Sequence, residues 1–264
     1  MSSFQNRFER LELKFVIDEI RADRIRRQIA AYCEADSHCA LACAGTPSGY
    51  PIQSLYLDTP SLAFHAAKER GDPDRVKLRA RTYAGSTTVS LEIKRRRANV
   101  IDKRRFTIPR DSLARAAIGM LDGRDLLRGD SRDVADFAHV VATSGASPKL
   151  TVAYRREAYE SRVDPYARVT FDRGIRVRPT QGWDLKPDDR HWIAFDEHWK
   201  TSRGSARVVL ELKCETAIPS WMIELIRTNQ LEPSSFSKYS IGICLSQLRG
   251  GVDASRSRSL GALA

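Results

Sequence analysis

"RVKLRARTY", residues 75–83, decides how the rest of the chain is read. Arg75, Lys77, Arg79 and Arg81 alternate with Val76, Leu78, Ala80 and Thr82. Successive side chains of a β-strand point to opposite faces, so the four cations share one face and the smaller, mostly apolar residues share the other. No acidic residue interrupts the charged face. Like charges in such a row repel unless something anionic lies opposite.

The same alternation recurs along the chain. It marks strands in "RLELKFVI" (10–17), "IQSLYLDT" (52–59), "TVSLEIKRR" (88–96), "KRRFTIP" (103–109), "KLTVAYRREAY" (149–159), "ARVTFDRGIRV" (167–177) and "RVVLELKCE" (207–215). "YAGSTT" (83–88) supplies a Gly-containing turn between two of them. Helical spacing of apolar residues appears in 18–35, 111–123, 131–145 and 218–230. Strands with interspersed helices predict an α+β fold: an antiparallel β-barrel enclosing a polar, basic tunnel, with helices packed around it. The expected organisation is a single domain over residues 1–248, followed by a disordered tail at 249–264.

The parity of each strand collects its polar residues on one face. Arg10, Glu12 and Lys14 oppose Leu11, Leu13 and Phe15; Glu92 and Lys94 oppose Leu91 and Ile93; Glu211 and Lys213 oppose Leu210, Leu212 and Cys214. Ser54, Tyr56 and Asp58, Tyr154 and Arg156, and Arg168, Thr170 and Asp172 join the same set. Cross-strand Glu–Lys pairs on a solvated face account for part of this pattern. They do not account for residues 75–81, where the charge is all positive. Arg, which favours bidentate phosphate contacts, predominates among the cations. Glutamates at the same parity on three strands could hold a divalent ion among them. A phosphate track is the expected use of the charged face.

Composition agrees. A formal net charge of +11 and a pI near 9.7 favour a polyanionic partner, whether nucleic acid, an anionic membrane or a phosphate-rich small molecule. The sequence has no apolar run of membrane-spanning length, and its first residues lack a signal-peptide core, so a cytoplasmic location is expected. Five cysteines, an odd number, read as reduced thiols. Cys33, Cys39 and Cys43 beside His38 fit no standard zinc spacing. Trp183, Trp192 and Trp199 raise the idea of an adenine platform, against ordinary packing, and Trp221 reads as core. Nucleic acid is not the expected partner, because the cations lie on strands that carry glutamate at the same parity.

Taken in order, "RLELKF", "SLYLDT", "KLRAR", "EIKRR", "YRREAY", "RVTFD", "LELKC" and "FSKYSIG" resemble the catalytic domain of the vacuolar transporter chaperone (VTC) family, within the triphosphate tunnel metalloenzymes. The resemblance spans about residues 7–246. It implies synthesis of inorganic polyphosphate from ATP with Mn²⁺ or Mg²⁺. By position it implies phosphate-binding roles for Lys14, Arg79, Arg81, Lys94, Lys103, Arg156 and Arg168, with Lys238 and Ser237 of "FSKY" at the tunnel's end and Tyr154 as a tunnel tyrosine. Lys77 and Lys213 share the charged faces and are added as phosphate contacts. Glu211 resembles the family's metal ligand, with Glu12 and Glu92 as weaker candidates. The first strand reads Arg10-Leu-Glu12-Leu-Lys14 where the wider superfamily carries E-x-E-x-K, which favours the polymerase branch over the cyclase and triphosphatase branch. Coupling to export would require a separate membrane protein, placing the chain at the membrane's inner face through that partner. The rival readings are a triphosphate or tripolyphosphate hydrolase of the same fold, and a non-catalytic module binding polyphosphate or an inositol phosphate.

Overall fold

The computed structural model describes residues 10–42, 49–83, 85–98, 100–121, 125–164, 166–183, 185, 191–195, 207–215 and 217–248. The chain opens with β1 (Arg10–Asp18), α1 (Glu19–Ile29), β2 (Cys33–Ala35), α2 (Ser37–Ala42), β3 (Tyr50–Asp58) and α3 (Ala63–Arg70). A meander follows: β4 (Arg75–Tyr83), β5 (Thr88–Arg97) and β6 (Val100–Pro109), then a 3-10 turn (Arg110–Ser112), α4 (Leu113–Ala117) and α5 (Ser131–Ser144). The rest comprises β7 (Ser147–Ser161), β8 (Arg168–Pro179), β9 (Ile193–Ala194), β10 (Arg207–Glu215), α6 (Ser220–Thr228) and a final helix over 238–248.

All eight alternating stretches are strands of one sheet, ordered β1-β10-β8-β7-β3-β4-β5-β6, with β2 added on β7 and β9 on β8. The pairings with an assigned register are antiparallel. The α+β class read from the sequence is therefore the observed one. The expected closure into a barrel is not made by hydrogen bonding: among the described residues no ladder joins β1 to β6. The outer part of β6 explains its open edge, for Asp102 and Arg105 are exposed there, and charged side chains discourage further pairing. The tail at 249–264 lies outside the described residues.

The chain divides into two compact units. The first comprises Met1–Pro51, Tyr154–Ile175 and Asp196–Phe236; the second comprises Ile52–Ala153, Arg176–Phe195 and Ser237–Ala264. Each has its own core. In the first, Phe15, Ile17, Val169, Phe171, Val208, Leu210 and Leu212 pack with Ala22, Ile25 and Ile29 of α1 and Trp221, Met222 and Leu225 of α6. In the second, Leu55, Leu57, Leu78, Ala80, Leu91, Ile93, Phe106 and Ile108 pack with Leu113 and Ala116 of α4 and Phe137, Val140 and Val141 of α5.

Burial of each large apolar side chain contributes about 1.5–3 kcal/mol. A one-residue slip of any of these strands would turn its apolar set outward, so the core pins the register. By pinning it, the core also fixes which cations stand beside which.

Local signals end the elements where the sequence suggests. The Asp18 side chain caps α1 by accepting from Arg21 N at 2.7 Å, and Asp130 caps α5 by accepting from Arg132 N at 2.8 Å. The helix expected over 111–123 is shorter, a 3-10 turn followed by Leu113–Ala117. Gly49 (φ +64°) introduces β3: a Cβ there would lie 2.3 Å from the Arg156 carbonyl oxygen, so only glycine fits against β7.

Candidate functional site

In the second unit the register turns the alternation of residues 75–81 into a grid. One row runs Ser54–Arg81–Ser90–Thr107 across β3, β4, β5 and β6. The next runs Tyr56–Arg79–Glu92–Arg105. The third runs Lys77–Lys94–Lys103. Arg79 grips Glu92 with Nε and Nη2 at 2.9 and 2.5 Å from Oε2. Arg105 Nε and Lys103 Nζ approach the same carboxylate at 3.9 and 4.0 Å. Arg81 Nε donates to Ser54 Oγ at 3.2 Å, and Arg105 Nη2 to Ser90 Oγ at 3.0 Å.

The electrostatics follow from this crowding. Burial alone would raise the Glu92 carboxyl, but Arg79, Arg81 and Lys103 hold it down at about 2. Lys103 is depressed by burial and by repulsion from Arg79, Arg105 and Arg81, with Glu92 opposing. Tyr56 is lowered: burial pushes its phenol up, and Arg79, Arg81 and Lys238 pull it down more strongly. Lys238, at the start of the final helix, is buried at 9% exposure and belongs to this positive field. Ser237 precedes it as the helix cap, its Oγ accepting from Ser240 N at 3.4 Å and from Ser240 Oγ at 3.2 Å. Glu92, expected as a metal ligand, sits among cations that would repel a divalent ion; its partner is Arg79.

Tyr239 and Asp58 anchor that final helix. Tyr239 stacks on Tyr56 with ring centroids 5.0 Å apart and donates its hydroxyl to Asp58 Oδ2 at 2.8 Å. Asp58 also accepts from the backbone N–H groups of Thr59, Phe64 and His65, so this buried carboxylate is a structural hub rather than a ligand-facing group. Sequence reading placed Asp58 on the charged face and did not recognise the final helix. The signal was present: an Asp ahead of a Thr-Pro turn and an apolar helix start is an Asx cap.

The first unit builds its charged face differently. Its rows run Glu12–Lys213–Arg168 and Lys14–Glu211–Thr170 across β1, β10 and β8. Lys14 Nζ lies 3.0 Å from Glu12 and 3.9 Å from Glu211, and donates to the Phe236 carbonyl at 3.2 Å. Lys213 Nζ is 2.9 Å from Glu211. Arg156 makes a fork with Asp172, both bonds 2.7 Å, and reaches Glu211 at 3.4 Å. Its guanidinium also lies over the Tyr154 ring, 5.4 Å from the centroid. Burial opposes the charge on Arg156, yet Asp172, Tyr154 and Glu211 hold it well above the ordinary arginine value. Arg168 is paired with Asp36 at 2.6 Å and Glu160 at 3.0 Å. Every cation expected here as a phosphate contact therefore has an acidic partner.

Glu12 and Glu211, the other expected metal ligands, are paired with cations as Glu92 is: Glu12 with Lys14, and Glu211 with Lys213, Arg156 and Lys14. Burial and the neighbouring Glu211 push Glu12 upward, Lys14 and Lys213 pull it down, and the net shift is downward. Hard carboxylate oxygens match Mg²⁺ or Mn²⁺. Among the described residues no group of three His, Cys, Asp or Glu side chains forms a cage. An ion on Glu211 and Glu12 would thus fill its shell with other oxygens, in the manner of ions bound through one or two carboxylates plus phosphate. Cys33 and Cys39 are buried and form no disulfide; Cys43 lies outside the described residues.

The tryptophans are engaged in packing. Trp183 packs on the second core, and Trp192 lies beneath Arg176 and Arg178 at 4.7 and 5.1 Å. Trp221 belongs to the first core and donates to Asp164 at 2.6 Å, while Trp199 lies outside the described residues.

The chain is an α+β protein built on one antiparallel sheet with polar residues gathered on the strands' charged faces. The VTC domain family matches residues 9–247, and the chain belongs to that family. No curated protein sequence matches it significantly. Among solved structures, a candidate adenylate cyclase of Bacillus halodurans is similar at 10% identity, TM-score 0.47, covering 86% of this chain and 92% of its own. A Hippeastrum protein described as having a dominant triphosphatase activity is similar at 14% identity, TM-score 0.45, covering 89% and 96%. The PH1819 protein of Pyrococcus horikoshii is similar at 12% identity, TM-score 0.42, covering 91% and 98%. No helix among the described residues is long and apolar enough to cross a membrane.

Proposed function

We propose that this chain is a polyphosphate polymerase, transferring the γ-phosphoryl group of ATP to the end of a growing inorganic polyphosphate. The observation that carries the reading is the second unit's grid, where Lys77, Lys94 and Lys103 stand side by side next to Arg79, Arg81 and Arg105 with Glu92 the only carboxylate in those rows. A density of cations of this kind suits a polyanion laid along it. Family membership supports phosphoryl chemistry.

Phosphoryl transfer depends on positioning and charge neutralisation more than on covalent chemistry from the protein. In this reading Arg79, Arg81, Lys77, Lys94, Lys103 and Lys238 hold phosphate oxygens. Glu92 aims Arg79, fixing its guanidinium plane. In the first unit Lys14, Arg156, Arg168 and Lys213, with Tyr154, surround Glu211 and Glu12, the residues that would hold Mn²⁺ or Mg²⁺. When bound, that ion neutralises charge on phosphate oxygens as it develops. The P–O bond to the ADP leaving group breaks as a bond forms from a terminal phosphate oxygen of the chain. That oxygen is already ionised, so no strong base is needed. The proposal includes a cytoplasmic location and a separate membrane protein as the route for any exported polymer.

The test incubates the protein with ATP and Mn²⁺ and resolves products on a gel stained for polyphosphate. A ladder of long polymer with ADP release, lost on Glu211→Ala, is expected. Short phosphate products alone would move the assignment to a hydrolase. Polyphosphate binding without turnover would leave a binding module.

A further inference from the structure

The β5–β6 hairpin ends in a tip that the core does not cover. Its last two register pairs are Arg96–Ile101 and Arg97–Val100, and all four residues are exposed, Ile101 at 51% and Val100 at 40%. Successive pairs face opposite ways, so each side of the tip presents one aliphatic side chain and one guanidinium. Among the described residues neither Arg96 nor Arg97 forms an ion pair; Arg96 Nε donates to the Ala98 carbonyl at 2.8 Å. Arg75, directly opposite Arg96 on β4, adds a third cation. The neighbouring carboxylates are engaged, Asp74 by Ala98 N at 3.2 Å and Asp102 by Arg104 Nε at 3.3 Å. Single exposed aliphatic residues are ordinary. Here two β-branched ones open β6, the strand with the open edge, where proteins usually place charge or proline.

The chemistry of the tip selects its partner. A second copy of the same edge would bring Arg96, Arg97 and Arg105 against their own kind. A folded protein partner takes about 800 Å² from each side, more than a tip of two residue pairs offers. A free polyanion uses the arginines and leaves Val100 and Ile101 in water. An anionic bilayer uses both: aliphatic side chains enter the boundary between headgroups and acyl chains, and guanidinium groups stay at the level of the headgroups. We propose that the β5–β6 tip docks this chain on an anionic lipid surface, with Val100 and Ile101 inserted and Arg75, Arg96 and Arg97 on the headgroups. Two short side chains and three cations make such docking reversible and sensitive to salt.

The test sediments the full chain with vesicles of phosphatidylcholine alone, and of phosphatidylcholine and phosphatidylserine in equal parts, at low and high salt. The parent should bind the mixed vesicles, release them as salt rises, and ignore phosphatidylcholine. Arg96→Gln with Arg97→Gln should weaken that binding about thirtyfold, from about fivefold for each arginine at an anionic surface. Val100→Thr with Ile101→Thr keeps the β-branched shape and should weaken it about fivefold. Melting temperatures of both variants should match the parent's, because the tip lies outside the core. Parental binding in the threonine variant would overturn the proposal, by showing attraction through charge alone. So would an arginine variant that loses affinity for soluble inorganic polyphosphate and keeps it for vesicles. A fall of several degrees in melting temperature would assign the tip to the fold, and a parent that ignores the mixed vesicles at low salt would end the reading outright. The assay contains no nucleotide, so its outcome stands apart from that of the polymerase test.

Discussion

On β4, β5 and β6, Lys77, Arg79, Arg81, Lys94, Lys103 and Arg105 are arrayed around one carboxylate in register, Glu92. On the first unit's charged face, Lys14, Arg156, Arg168 and Lys213 meet Glu12, Glu211, Asp172, Asp36 and Glu160. Both faces come from strands with the same period-two alternation. In the first set six cations stand in register around one carboxylate; in the second every cation has a carboxylate partner. A balanced face holds its own geometry, whereas a face rich in like charges favours an anion laid along it. The two regions should therefore fail differently when altered.

The largest effect is expected in the balanced region. Replacing Arg156 by Met leaves Asp172, fully buried, and Glu211 without their shared cation. Breaking one side of a buried pair destabilises by about 3–5 kcal/mol. Urea unfolding at neutral pH checks this. A loss below about 1 kcal/mol would show the pair to be dispensable and weaken the contrast between the faces.

Arg81→Ala should act mainly on function. Its side chain donates to Ser54 Oγ, so the fold loses little, while under the proposed function a donor to phosphate is lost. Removing one such preorganised donor costs about 10²–10³ in turnover. Steady-state assays with ATP, beside melting temperatures, separate the two effects. A variant that unfolds as readily as Arg156→Met would place Arg81 with the structural pairs.

Glu92 gives the pH signature of the second region. Its folded value of about 2 lies below the unfolded value near 4.5. The stabilisation is thus complete above the unfolded value and is lost as pH falls from there through about 2. For this buried carboxylate the difference corresponds to about 3 kcal/mol. Urea midpoints measured from pH 6 down to about 2 should fall for the parent chain. They should fall less steeply for Glu92→Gln, which starts lower because Arg79 has lost its charged partner. Parallel curves for the two proteins would mean that other acids govern the loss.

What the sequence revealed and what it concealed divide along the same line. Alternation is local, so the strands and the face of each residue could be read from it directly: Arg79, Arg81, Lys94 and Glu211 fall where parity placed them. Neutralisation is not local. Arg168 finds Asp36 across 132 positions, and Arg156 finds Glu211 across 55. Nothing in "RVTFD" or "YRREAY" announces those partners. The same holds for Ser237, a plausible phosphate contact by motif and a helix cap by geometry. Asp58 likewise shares parity with Ser54 and Tyr56, yet closes on Tyr239 181 positions away. Parity names the face on which a charge stands, and only the register with its long-range partners says whether that charge is already answered.

The smallest effect is also the most discriminating. Lys103 stands opposite Lys94 on β5 and carries a depressed value, caused first by burial and then by Arg79, Arg105 and Arg81. Its acidic neighbour Glu92 is 4.0 Å away and already bound to Arg79. Neutralising Lys103 should therefore help the ligand-free fold. Directly opposed like charges on a sheet cost about 0.2–1 kcal/mol, so Lys103→Gln should be more stable than the parent by that order. The gain should shrink as added salt screens the repulsion. With polyphosphate present the order should reverse, because the parent then uses the charge and the variant lacks it. Melting temperatures of both proteins, with and without polyphosphate, decide the matter. A variant less stable than the parent in the absence of ligand would mean that Lys103 serves the fold, and that the positive excess on β4, β5 and β6 is answered from within the protein.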